Sequence, residues 1–125
     1  PPIAYAGPYG EARWLDGRHP SRRTLQALMR GSGHGDHRAI CGAAAAADVY
    51  GYGDTAAEAR RTLPPLLERA WPAVINLARK IHIEGEVTHD DVCKALGITD
   101  NGGPGSSQIA SLRAGLRRVP PIATP

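Results

Sequence analysis

Apolar residues along this chain recur at steps of three and four between breaks made by Gly, Pro and Asp, and no stretch alternates with period two. The pattern predicts helices throughout. Pro8 suits a first helical turn and opens a helix that Gly17 ends. Pro20-Ser21 opens a second, through Arg30, with Leu25, Leu28 and Met29 as its stripe. Gly31-Ser32-Gly33-His34-Gly35 reads as a flexible loop, and Asp36 as the N-cap of a helix reaching Tyr50 through the Ala43–Ala47 block.

Gly51-Tyr52-Gly53 then breaks the chain, and Asp54-Thr55 restarts it, Thr55 and Glu58 having capping-box spacing. Pro64-Pro65 is expected to end or kink that helix near Arg61. The longest helix should follow, from Pro65 to Glu84, with Leu66, Leu67, Ala70, Trp71, Val74, Ala78 and Ile81 on one broad face. Pro72 predicts a kink or restart near Trp71. Thr88 with Asp91 caps a last short helix through Leu96, and Gly97 stands where a left-handed C-terminal glycine belongs. The expected fold is all-α, a compact bundle of five or six short helices over residues 1–98. Residues 99–125, rich in Gly and Pro, read as a flexible tail that orders on a partner or not at all. Ile109, Leu112 and Leu116 could form a helical turn or two within it.

Composition narrows the classes. With 125 residues and 42% apolar content, one ordinary domain with a modest core is expected. The net charge is +3, and the acid-free tail, with Arg113, Arg117 and Arg118, accounts for all of it. A balanced domain with a mildly basic tail is weak ground for an anionic surface partner. No apolar run approaches the ~18 residues of a membrane span, and no signal peptide opens the chain, so no membrane role and a cytoplasmic location are expected. The start at Pro1-Pro2 reads as a trimmed or processed product or part of something longer. Cys41 and Cys93 form no Cys-x-x-Cys pair and read as buried, inert thiols. Trp14 and Trp71 lie in apolar helical patterns and read as core.

The densest polar cluster is His34-Gly35-Asp36-His37 at a loop-to-helix junction. Imidazole and carboxylate are the ligands zinc takes where no thiolate is offered. The same residues also read, and more simply, as a helix cap flanked by exposed imidazoles. His19, His82 and His89 are scattered and read as surface residues. No Gly-x-Ser-x-Gly elbow or strand-linked Gly-x-Gly-x-x-Gly is present, so nucleophilic or dinucleotide chemistry has no support.

Three blocks carry a resemblance. Ala6-Gly7-Pro8-Tyr9-Gly10-Glu11-Ala12-Arg13, then Gly31 through Ile40, then Trp71–Ala78 with Gly85–Val92, are similar, in order, to successive blocks of FtsH-type zinc peptidase domains and their stand-alone bacterial relatives. The resemblance covers residues 3–98. It implies zinc as cofactor, Asp36 as third metal ligand, and Glu11 as an acid on the helix packed beside the zinc-binding one. The family's His-Glu-x-x-His is absent, since no two histidines here are four apart. That signature normally precedes the first block, so the chain is expected to be a peptidase's C-terminal part or a non-catalytic derivative, and not to hydrolyse peptides as it stands. A missing N-terminal segment or a protein partner is then implied. A different class competes: Val92–Ile98 followed by Ser106–Arg113 faintly resembles a helix-turn-helix over residues 88–118. Arg113, Arg117 and Arg118 would then meet nucleic acid, although Thr99–Gly105 is longer than the usual turn. A plain interaction module whose tail docks on protein is the third reading.

Overall fold

The computed structural model describes residues 2–50 and 55–124, apart from the side chains of residues 2, 3, 47–50 and 55. Among them are six helices and no strand: α1 (Pro2–Asp16), α2 (Arg22–Arg30), α3 (His34–Tyr50), α4 (Thr55–Glu84), α5 (His89–Leu96) and α6 (Ser107–Arg113). The fold is all-α. None of these helices is long and apolar enough to cross a membrane. The expected break at Gly51-Tyr52-Gly53, the restart at Asp54 and the Thr55 cap lie outside the described residues. The chain divides into two compact units, residues 1–67 and 68–125.

In the first unit, α1, α2 and α3 pack on one another. Tyr5, Tyr9 and Ile40 form the core with Ala56 and Ala59 of α4, and Leu25, Met29, Leu63 and Leu67 close around them. Tyr5, Tyr9 and Ala12 fall at steps of four and three on α1, so one stripe meets the core. That stripe begins before Pro8, and α1 correspondingly starts at Pro2 and carries Pro8 inside it. The ring of Pro8 is itself fully buried, which offsets part of the helix bond it removes. The turn from α1 to α2 is fastened by polar bonds. Asp16 accepts the Ser21 backbone N–H (2.8 Å) and the Thr24 hydroxyl (2.9 Å), while Ser21 caps α2 by accepting the Thr24 N–H (3.1 Å). The Ser21 N–H, then the Thr24 hydroxyl, hold the Asp16 carboxyl below its ordinary range.

α4 departs from its expected outline. It is one helix of 30 residues through Pro64, Pro65 and Pro72, with neither an end near Arg61 nor a restart near Trp71. Ala56, Ala59, Leu63 and Leu67 keep a three-and-four spacing across the proline pair and pack into the first core. Burial on both sides of the pair outweighs the lost helix bonds, each up to about 3 kcal/mol.

The second unit buries Ala73, Ile75, Cys93, Ala95 and Ile98. α5 has the expected capping box, with Thr88 accepting the Asp91 N–H and Asp91 accepting the Thr88 N–H. Gly97 adopts φ 70, and a Cβ there would stand 2.9 Å from Cδ of Pro120, so this left-handed position takes glycine on two counts. Residues 99–125, read from composition as a tail, hold α6 and hydrogen bonds to α4. Asn76 donates to the Pro121 carbonyl (3.1 Å) and accepts from the Ala123 N–H (2.9 Å), and Arg79 donates to the Ala123 carbonyl (2.8 Å). Proline-rich extended backbone, whose polar groups find no partners of its own, is satisfied here by side chains of a neighbouring helix.

Candidate functional site

The Gly-rich turn between α2 and α3 sits against α1, and glycine makes that approach possible. A Cβ on Gly33 would stand 2.9 Å from both the Leu28 carbonyl oxygen and Cγ of Pro8, contacts real Cβ atoms do not make. Gly33 N–H donates to Leu28 (2.7 Å), and its carbonyl accepts the His37 N–H (2.9 Å), the first bond of α3. The N-cap position is therefore Gly33. Asp36, expected to be the cap, lies two residues inside the helix, in its first turn. A carboxylate there is still favoured by the helix dipole.

From that turn the Asp36 side chain leans over α1. Its Oδ2 would lie 3.2 Å from a Cβ on Gly7. The carboxylate is half-buried and has no hydrogen bond or ion pair among the described residues. One turn further along α1, Glu11 accepts the Ser32 hydroxyl (3.1 Å), tying the same loop to the same helix. The two sequence blocks that carry the resemblance thus meet in space: Gly7 and Glu11 on α1 face Ser32 to Asp36.

The imidazoles do not join them. His34 is exposed, and His37 lies within hydrogen-bond range of the Cys41 thiol (3.6 Å) one turn along α3. Among the described residues no three His, Cys, Asp or Glu side chains gather as a metal site. Four-coordinate zinc needs more than Asp36 offers, so the described residues do not by themselves supply a full set of zinc ligands. His19, read as a surface residue, is exposed but pairs through Nδ1 with the Tyr9 hydroxyl (2.9 Å). Cys93 is buried as expected, whereas Cys41 is exposed. Trp14 departs too, 65% exposed where core packing is expected, because the buried stripe of α1 runs through Tyr5, Tyr9 and Ala12 and leaves position 14 on the outer side.

The residues of the nucleic-acid reading lie in the second unit. α5 and α6 both form, joined by residues 97–106. Ser106 caps α6 by accepting the Ile109 N–H (3.0 Å) and donates to Asp100 (2.7 Å). Gln108 accepts the Thr99 N–H (2.6 Å) and donates to the Thr99 hydroxyl (2.9 Å). Arg117 donates to the Gly97 carbonyl at the end of α5 (2.5 Å). Arg113 and Arg118 are exposed. The backbone carbonyl of Arg113 accepts from Arg69 of α4 (2.9 Å).

Sequence reasoning missed the ion pair that joins α4 to α5. The Lys80 ammonium donates to Asp91 (2.5 Å) and reaches Glu84 (3.4 Å). Only the i,i+4 spacing of Lys80 and Glu84 could have signalled part of it. No protein-family model, curated protein or solved structure matches this chain.

Proposed function

We propose that residues 1–98 are the non-catalytic portion of a zinc-peptidase-type helical domain, a scaffold that offers Asp36 as one ligand to a metal whose imidazole ligands come from outside residues 1–125. The observation that supports this reading is the half-buried Asp36 carboxylate, without a partner among the described residues, lying over Gly7 of α1. A half-buried carboxylate without a donor is costly unless something charged or hydrogen-bonding meets it, and a divalent cation does so. Gly7 is the residue that lets the carboxylate approach. Glu11, held by Ser32, fixes the loop from which α3 springs.

The reading is tested by metal analysis of the purified natural gene product that contains these residues, beside its Asp36→Asn variant. One equivalent of zinc in the wild type, lost in a variant whose circular dichroism is unchanged, is the expected result. A product without zinc, or one that keeps its zinc in Asp36→Asn, overturns it. The nucleic-acid alternative rests on Arg113 and Arg118, because Arg117 and Gln108 already hold the loop of the second unit together.

A further inference from the structure

The first unit also contains a cavity of about 490 Å³ lined by residues of α1, α2, α3 and the beginning of α4. The charge of its described lining is of one sign. Arg22 and Arg30, from opposite ends of α2, and Arg60 from α4 all line it, as does His37 of α3, and no Asp or Glu is among the described lining residues. The three guanidiniums have no ion pair or hydrogen bond among the described residues. Residues 1–100 as a whole are charge-balanced, so this concentration is local.

Apolar side chains and Gln26 complete the described lining. Leu25 and Met29 are half-buried along α2, and the Tyr5 ring is 7% exposed. Burial pushes the Tyr5 hydroxyl up, against the opposing pull of Arg60, so the phenol stays neutral with a proton to donate. Guanidinium forks match the spacing of phosphate oxygens and bind them in pairs. Like charges brought together without a counter-ion repel, and an oxyanion relieves that repulsion. The volume falls in the range of about 300–1,000 Å³ that small-molecule sites occupy, and the cations surround a concavity, unlike the extended basic stripe that tracks a nucleic-acid backbone.

We propose that this cavity binds a small phosphate monoester, its phosphate held by Arg22, Arg30 and Arg60 and its organic group lying against Leu25, Met29 and the ring of Tyr5. The proposal does not rest on the reading of Asp36 and invokes no metal.

Isothermal titration of phenyl phosphate and of inorganic phosphate into the 125-residue chain tests it. Phenyl phosphate should saturate one site and bind at least about tenfold more tightly than inorganic phosphate, because only the ester covers the apolar side chains. Arg30→Gln or Arg60→Gln should each weaken it about tenfold, the worth of one charged hydrogen-bonded contact. Arg23→Gln changes charge equally on the same helix but does not line the cavity, so it should leave affinity unchanged. All three side chains are exposed, so thermal melts of the variants should match wild type. Absence of saturation overturns the site. Equal weakening by Arg23→Gln replaces it with diffuse attraction, and equal affinity for inorganic phosphate overturns the monoester assignment.

Discussion

Asp91 takes the Lys80 ammonium on one carboxylate oxygen and the Thr88 backbone N–H on the other (2.8 Å). Lys80 first, then Thr88, lower its pKa from 3.8 to about 2, and the same contact raises Lys80. A carboxyl whose folded pKa is depressed stabilises the fold above its unfolded pKa, and that contribution disappears as pH falls through the folded value. The melting temperature should therefore drop between pH 3.8 and about 2. Asp100, lowered chiefly by the Ser106 hydroxyl, and Asp16, lowered chiefly by the Ser21 N–H, act in the same sense. Asp91→Asn should lower the melting temperature at neutral pH and make the acid drop shallower without abolishing it. Calorimetry across that pH range checks this, and an unchanged acid profile in the variant would show that the pair has no part in stability. On the alkaline side Lys80 works in the opposite direction: its raised pKa carries stability that is lost as pH rises through the folded value.

At the scale of elements, the segment after α6 owes its place to α4 rather than to structure of its own. Val119 to Thr124 has no regular secondary structure, and two of its backbone groups are held by the single amide of Asn76, which donates to Pro121 and accepts from Ala123. Asn76→Ala should cost about 1–2 kcal/mol of local stability, two net hydrogen bonds. Amide exchange at Ala123 should speed up roughly tenfold or more, while α5, held by its own capping box and Lys80, keeps its protection. Equal loss across α5 would mean that the segment and the helix open together. This contact was illegible in the sequence because it joins positions 45 and 47 apart, and composition alone marks a Gly- and Pro-rich stretch as unstructured. Local signals fared differently. Ser21, the Thr88–Asp91 box and Gly97 were readable because a cap is decided within four residues. The prolines of α4 misled because propensity weighs each residue singly, whereas Leu63 and Leu67 gain their burial from a core built mostly by α1 and α3. At the candidate site, Asp36 could be picked out by residue type, but its place in the first turn depended on how closely Gly33 approaches Pro8 and Leu28.

For the molecule as a whole, the +3 charge is an imperfect guide to partners, because what counts is how many cations remain exposed on one face. The excess resides in Arg113, Arg117 and Arg118. Arg117 is turned inward onto the Gly97 carbonyl at the end of α5. That leaves two tail guanidiniums for phosphates, and counterion release then limits the dependence of log K on log salt to a slope of about −2 for duplex DNA. Fluorescence anisotropy with a labelled random duplex across a salt series measures it. A slope no steeper than this, or no binding at all, is expected. Arg113→Ala should then remove about one unit of any slope observed, while Arg117→Ala should act on melting temperature instead, since it strips a donor from the α5 terminus. A slope well beyond −2 would require basic residues outside the tail to join the interface. If the arginines of the first unit's cavity are among them, phenyl phosphate should compete with DNA. Competition would assign the cavity to a polymer's phosphates, and its absence would leave the cavity to a small ester and the tail to its structural contacts with α4.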